Sequence, residues 1–137
     1  MAARLPWDLG LLAGLFTVSG TVHLLAPRVF EPLVPAWVPA HREVVLVSGV
    51  AELVCAAGLL VPVTRRPAGL ASAALLVAVF PGNLQMAADA RGRSAGYRLA
   101  TLARLPLQLP LVRIALRAGR VQKSVEPPRG PRIAWRP

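Results

Sequence analysis

The sequence has 137 residues, enough for one domain. Its 55% hydrophobic and 16% charged content and its mean hydropathy of +0.54 exclude an ordinary soluble domain, which must cover its surface with charge. The net charge is nevertheless +10, from 16 basic against 6 acidic residues. Nucleic acid and anionic lipid both attract such charge, and the apolar content assigns it to lipid, with no nucleic-acid partner. One cysteine, Cys55, excludes an internal disulfide, a CxxC redox pair and a Cys-rich zinc site.

In chain order, four apolar runs each approach the ~20 residues a helix needs to cross ~30 Å of hydrocarbon. The first, at 9–26, contains His23. A cleaved signal peptide is the competing reading, but the run is long and Leu24-Leu25-Ala26 lacks the small residue expected two places before a cleavage position. A retained helix is expected. Residues 27–42 follow with four prolines, placing Phe30, Leu33, Val34, Trp37 and Val38 at helix-like spacing. This suits a short interfacial segment with aromatics at headgroup level, and an extended proline-rich loop fits equally well.

The second run, at 44–63, carries Glu52 and ends before a basic hairpin, Arg65-Arg66-Pro67. The third, at 67–88, is expected to bend near Pro81; a Gly- and Arg-bearing loop precedes the fourth, at 99–116, with Arg104, Gln108 and Arg113. The fold expected is therefore all-α, a polytopic membrane four-helix bundle over residues 1–117. Residues 118–137 read as a basic, Pro-rich, disordered cytoplasmic tail suited to anionic lipid.

An even number of spans puts both termini on one side. That side collects Arg4, Arg65, Arg66, Arg117, Arg120, Lys123, Arg129, Arg132 and Arg136, against Arg28, Arg42, Arg91, Arg93 and Arg98 opposite. Nine cations against five make the termini cytoplasmic.

Polar residues inside spans are costly and usually face protein or water. Counted at 1.5 Å per residue from the outer helix ends, His23 lies ~6 Å deep, Asn83 and Arg104 ~9 Å, Glu52 ~14 Å and Gln108 ~15 Å. All five fall in the outer half, whereas the inner half holds only Arg113, which can snorkel. Ser48 and Glu52 are spaced i, i+4, as are Arg104 and Gln108, so each pair shares a helix face. A single outward-opening polar pocket explains the set, and an ion pair between Glu52 and Arg104 is expected, because a lone carboxylate at that depth is expensive to desolvate. The competing reading is structural: hydrogen bonds between helices contribute ~0.6 kcal/mol each and fix register.

Pro81 removes the helical donor of the Val77 carbonyl, and Asn83 or Gln85 could lie beside the kink. The two sit ~200° apart around the helix, so one faces the bundle, with Asn83 preferred. Gly14, Gly20, Gly49 and Gly58 offer surfaces for close helix approach. Cys55 reads as a small apolar filler. No phosphate-binding loop, HExxH or Gly-x-Ser-x-Gly motif occurs. Bis-His haem ligation would require both His23 and His41, and His41 sits among loop prolines. No metal site, covalent cofactor or catalytic residue is assigned.

Several short motifs occur in order: Gly20-Thr21-Val22-His23; Pro27 through Val34-Pro35; Ser48-Gly49-Val50-Ala51-Glu52; Gly58-Leu59-Leu60; Val79-Phe80-Pro81-Gly82-Asn83 with Met86-Ala87; and Arg104-Leu105-Pro106-Leu107-Gln108. Together, over residues 8–117, they resemble the DoxX-like family of small bacterial membrane proteins. The departure is Gly82, where that family commonly has Ala, a change expected to loosen the kink. The resemblance implies a four-helix bundle in the bacterial inner membrane. Founding members of the family are subunits associated with thiosulfate:quinone oxidoreduction and terminal quinol oxidation. It also implies a redox partner protein and a quinone as ligand, with His23, Ser48, Glu52, Asn83, Arg104 and Gln108 as candidate binding residues.

Overall fold

A computed structural model describes residues 5–123. Four helices, α1 (Trp7–Leu25), α2 (His41–Leu60), α3 (Arg65–Asp89) and α4 (Ala95–Lys123), make up the chain, joined by short 3₁₀ turns. At 19 and 20 residues, α1 and α2 are ~28–30 Å long, and all four helices are long and apolar enough to cross a bilayer. The protein is an all-α membrane four-helix bundle.

The helix ends have local causes. Asp8 in the first turn of α1 accepts the Leu9 N–H at 2.9 Å, complementing the positive end of the helix dipole. Pro27 and Pro62 follow α1 and α2 within two residues, lack the N–H that would extend each helix and open 3₁₀ turns instead. By contrast, Pro81, Pro106 and Pro110 lie inside α3 and α4, which continue through them. Spans 2 and 4 accordingly differ from expectation. α2 begins at His41, and α4 runs from Ala95 to Lys123. The tail expected from 118 thus begins as helix, and its part from 124 onward lies outside the described residues.

Consecutive helices pack as neighbours, and α1 meets α4 to close the ring. One end of the bundle, called upper below, carries the connections 26–40 and 90–94; the lower end carries 61–64 and both ends of the described chain. The apolar core occupies the lower part, where Leu9, Leu12, Phe16, Leu59, Leu76 and Ala115 interlock. Outward faces are equally apolar: Leu11, Leu15 and Val18 on α1, Val47, Val50 and Val54 on α2, Leu70 and Val77 on α3 and Leu102 and Leu109 on α4 are all exposed. Exposed apolar side chains on every helix suit a lipid solvent.

Close approach is set by small residues. A Cβ at Gly20 would lie 2.7 Å from the Gly49 carbonyl oxygen, and one at Gly49 would lie 2.8 Å from the His23 Cβ, so α1 and α2 cross backbone to backbone there. Gly58 similarly faces Ala68 at 2.7 Å, and Gly69, which the sequence did not single out, meets the Ala115 carbonyl and Ala118 of α4. Gly14 faces open space and makes no such contact, because it lies on the outer side of α1.

In the basic hairpin Arg65 is 3% exposed. Its Nε donates to the Leu59 carbonyl at 3.0 Å and a terminal nitrogen to Leu60 at 3.4 Å, while the Thr64 hydroxyl donates to Gly58 at 2.9 Å. These carbonyls belong to the last turn of α2, where no backbone donors remain and cations are favoured. Arg66 stays exposed.

Candidate functional site

The upper part of the bundle encloses a cavity of about 500 Å³. All six candidate residues, His23, Ser48, Glu52, Asn83, Arg104 and Gln108, line it, so one space gathers side chains from all four helices. The connection between α1 and α2 covers it. This short segment contains two 3₁₀ turns, Pro27–Val29 and Glu31–Leu33, and places Phe30, Leu33, Val34 and Val38 in the cavity lining. Trp37 stays 78% exposed at this end and Trp7 82% exposed at the other, as aromatic anchors at two interfaces would be. Arg42 and Glu31 sit 3.8 Å apart and tie the segment to the start of α2. A Cβ on Gly82 would reach the Leu33 carbonyl oxygen at 3.3 Å, so glycine there lets the cover seat closely on α3.

On the wall formed by α1 and α2, the Gly20/Gly49 crossing brings His23 beside Glu52, with Nδ1 3.5 Å from Oε2. His23 Nδ1 also stands 2.7 Å from the Ser19 carbonyl oxygen. A carbonyl only accepts, so Nδ1 carries the proton and gives it to Ser19. Glu52 Oε2 is consequently left without a hydrogen-bond partner although its side chain is only 9% exposed. Ser48 spends its hydroxyl hydrogen on the Val45 carbonyl at 2.9 Å. Phe30 stacks on the His23 ring with centroids 4.0 Å apart, fixing the imidazole from above.

The wall formed by α3 and α4 is a short chain of amides. Asn83 Nδ2 donates to Gln108 Oε1 at 3.1 Å, and Gln108 Nε2 donates to the Leu76 carbonyl. Asn83 is thus the inward residue, while Gln85 turns to Asp89 at 3.0 Å. The Pro81 region is met from α4, by Gln108 on Leu76, rather than by Asn83 or Gln85 on Val77, because Gln108 lies across the interface at the depth of that turn.

Arg104 does not pair with Glu52. Its guanidinium stands at the rim, exposed, with Nη1 3.6 Å from Met86 Sδ, a weak acceptor. The expected ion pair fails because His23, one glycine crossing away, reaches Glu52 first. Ser19, Phe30 and Met86 were not anticipated as cavity residues. Ser19, at i−4 from His23, carried the available signal. Cys55 belongs to the lower apolar core, as its small apolar character suggested.

Residues 12–119 match the family described as a domain of unknown function (DUF8561). The chain belongs to this family. No curated protein and no solved structure matches the sequence. The matched segment of this DUF8561 domain takes in every residue of the cavity named above.

Proposed function

We propose that this DUF8561 protein is a DoxX-like protein of the bacterial inner membrane, an accessory subunit of a membrane redox complex whose cavity holds a quinone-like small ligand. One observation carries the reading: Glu52, its side chain nine-tenths buried and its Oε2 without a hydrogen-bond partner among the described residues, lines a cavity of about 500 Å³, within the ~300–1,000 Å³ usual for small-molecule sites. An orphaned carboxylate oxygen inside a membrane domain is expensive unless something meets it. Arg104 at the rim has unspent N–H groups for a ligand oxygen, Asn83 and Gln108 line the opposite wall, and Glu52 with His23 is placed to hold a proton. A quinone head, when bound, supplies two-electron, two-proton carrier chemistry. Phe30, Leu33 and Val34 give the same cavity an apolar lining. The charge asymmetry supports cytoplasmic termini, with the basic tail on anionic lipid and a redox protein as partner.

A second reading, a noncatalytic scaffold, is favoured by the Asn83–Gln108–Leu76 chain, which ties α3 to α4 with no ligand required. Purified wild type and Glu52→Gln separate the two. Bound quinone in the wild-type extract, lost in the variant at unchanged thermal stability, supports the ligand site. No quinone in the wild type, with only stability lowered in the variant, supports the scaffold.

A further inference from the structure

The two walls of the cavity differ in hydrogen-bonding sense. On the α1–α2 wall two polar hydrogens are given to backbone, His23 Nδ1–H to the Ser19 carbonyl and the Ser48 hydroxyl to the Val45 carbonyl, while the Ser19 hydroxyl, 3.4 Å from His23 Nδ1, keeps its own. The acceptors on this wall are the Glu52 carboxyl and the Ser48 oxygen. Ionised, Glu52 only accepts; carrying one proton, it accepts through one oxygen and donates through the other. Across the cavity, Arg104 offers guanidinium N–H groups met only by the Met86 thioether, and the Asn83 and Gln108 amides each have a second N–H beyond the one they spend. The amide orientations are fixed, since the Leu76 carbonyl can only accept from Gln108 Nε2, which turns Gln108 Oε1 to Asn83. A group held between Glu52 and the α3–α4 wall can therefore give a hydrogen on one side and take one on the other.

A group that does both, donating on one side and accepting on the other, is a hydroxyl. A carbonyl has no hydrogen for an ionised Glu52, a carboxylate or phosphate would be repelled by it, and an ammonium has nothing to accept from Arg104 and shares its charge, whereas a hydroxyl meets Glu52 in either protonation state. We infer that the cavity binds its ligand as a neutral alcohol or phenol on an apolar body, with the ligand O–H donated to the Glu52 carboxyl and the ligand oxygen accepting from the α3–α4 wall. This rests on the ligand-site reading above and adds which form of the head is selected: the hydroxyl-bearing one over its carbonyl or ether counterpart.

The test compares 4-nonylphenol with its methyl ether, 4-nonylanisole, which has the same body and oxygen without the hydrogen. Decylubiquinone and nonylamine are further probes, all measured by equilibrium dialysis against the full chain in nanodiscs with empty nanodiscs subtracted. The expected result is at least about tenfold tighter binding of the phenol than of the anisole, the factor typical of one hydrogen bond to a carboxyl. Glu52→Leu, which removes the acceptor, should bring the two within about twofold; if that variant does not fold, the wild-type ratio decides alone. Equal binding of phenol and anisole, or tighter binding of decylubiquinone or nonylamine than of the phenol, overturns this inference and leaves the ligand site standing. Binding of none of the four overturns the ligand site as well.

Discussion

The crossing of α1 and α2 at Gly20 and Gly49 brings His23 and Glu52 together, and it yields a quantitative prediction. In Gly20→Ala the new Cβ would stand 2.7 Å from the Gly49 carbonyl oxygen and 3.0 Å from Leu53 Cγ, against 3.4 Å for ordinary contact. The nearer obstacle is backbone, so relief requires the helices to part by about 0.7 Å locally. Overpacking of this kind costs about 1–3 kcal/mol, and the greater helix propensity of alanine returns at most about 1 kcal/mol. Gly14→Ala is the internal control: nothing lies within 4 Å of its Cβ, so only the propensity gain applies. Unfolding in mixed micelles of increasing SDS content, followed by far-UV circular dichroism, should place Gly20→Ala about 1–3 kcal/mol below Gly14→Ala. Equal stability of the two variants would refute the close crossing, and with it the reason that His23 lies against Glu52.

Three further outcomes follow from other contacts. Arg65→Ala, which strips the last carbonyls of α2 of their donors, should lose about 1–3 kcal/mol in the same assay, whereas Arg66→Ala on the exposed side should stay within about 0.5 kcal/mol. Ser72, fully buried in α3 with no partner for its hydroxyl, predicts that Ser72→Ala raises stability by up to about 1 kcal/mol; a loss would mean that the hydroxyl is satisfied. A double-mutant cycle of Asn83→Ala and Gln108→Ala should give a coupling of about 0.6–1.7 kcal/mol, and zero coupling would remove the amide chain across α3 and α4.

The four spans were legible because lipid imposes length and apolarity on every crossing segment, and four runs met both. The cavity residues were legible for a related reason. Polar groups are rare in hydrocarbon, so their depths alone gathered His23, Glu52, Asn83, Arg104 and Gln108 at one level. Their pairing was not legible, since depth places residues along the membrane normal and says nothing of rotation about each helix. Glu52 thus meets His23 rather than Arg104, through a glycine crossing that only the packed backbones show. The hairpin was legible as basic, but not that the Arg65 guanidinium folds back on the α2 carbonyls and is buried, since that depends on where the turn places it. The cover was left undecided for a parallel reason: four prolines permit loop, turn or short helix, and packing over the cavity selects two 3₁₀ turns.

The most direct test of a ligand site at this cavity is photolabelling of the membrane-embedded protein with an azido-quinone bearing a short alkyl tail, followed by peptide mapping. Labels at Phe30, Met86 and Leu107, which line the cavity, competed away by excess unlabelled decylubiquinone, are the predicted result. Labels confined to outward residues such as Val18, Val54 and Leu70, unaffected by competitor, would contradict it.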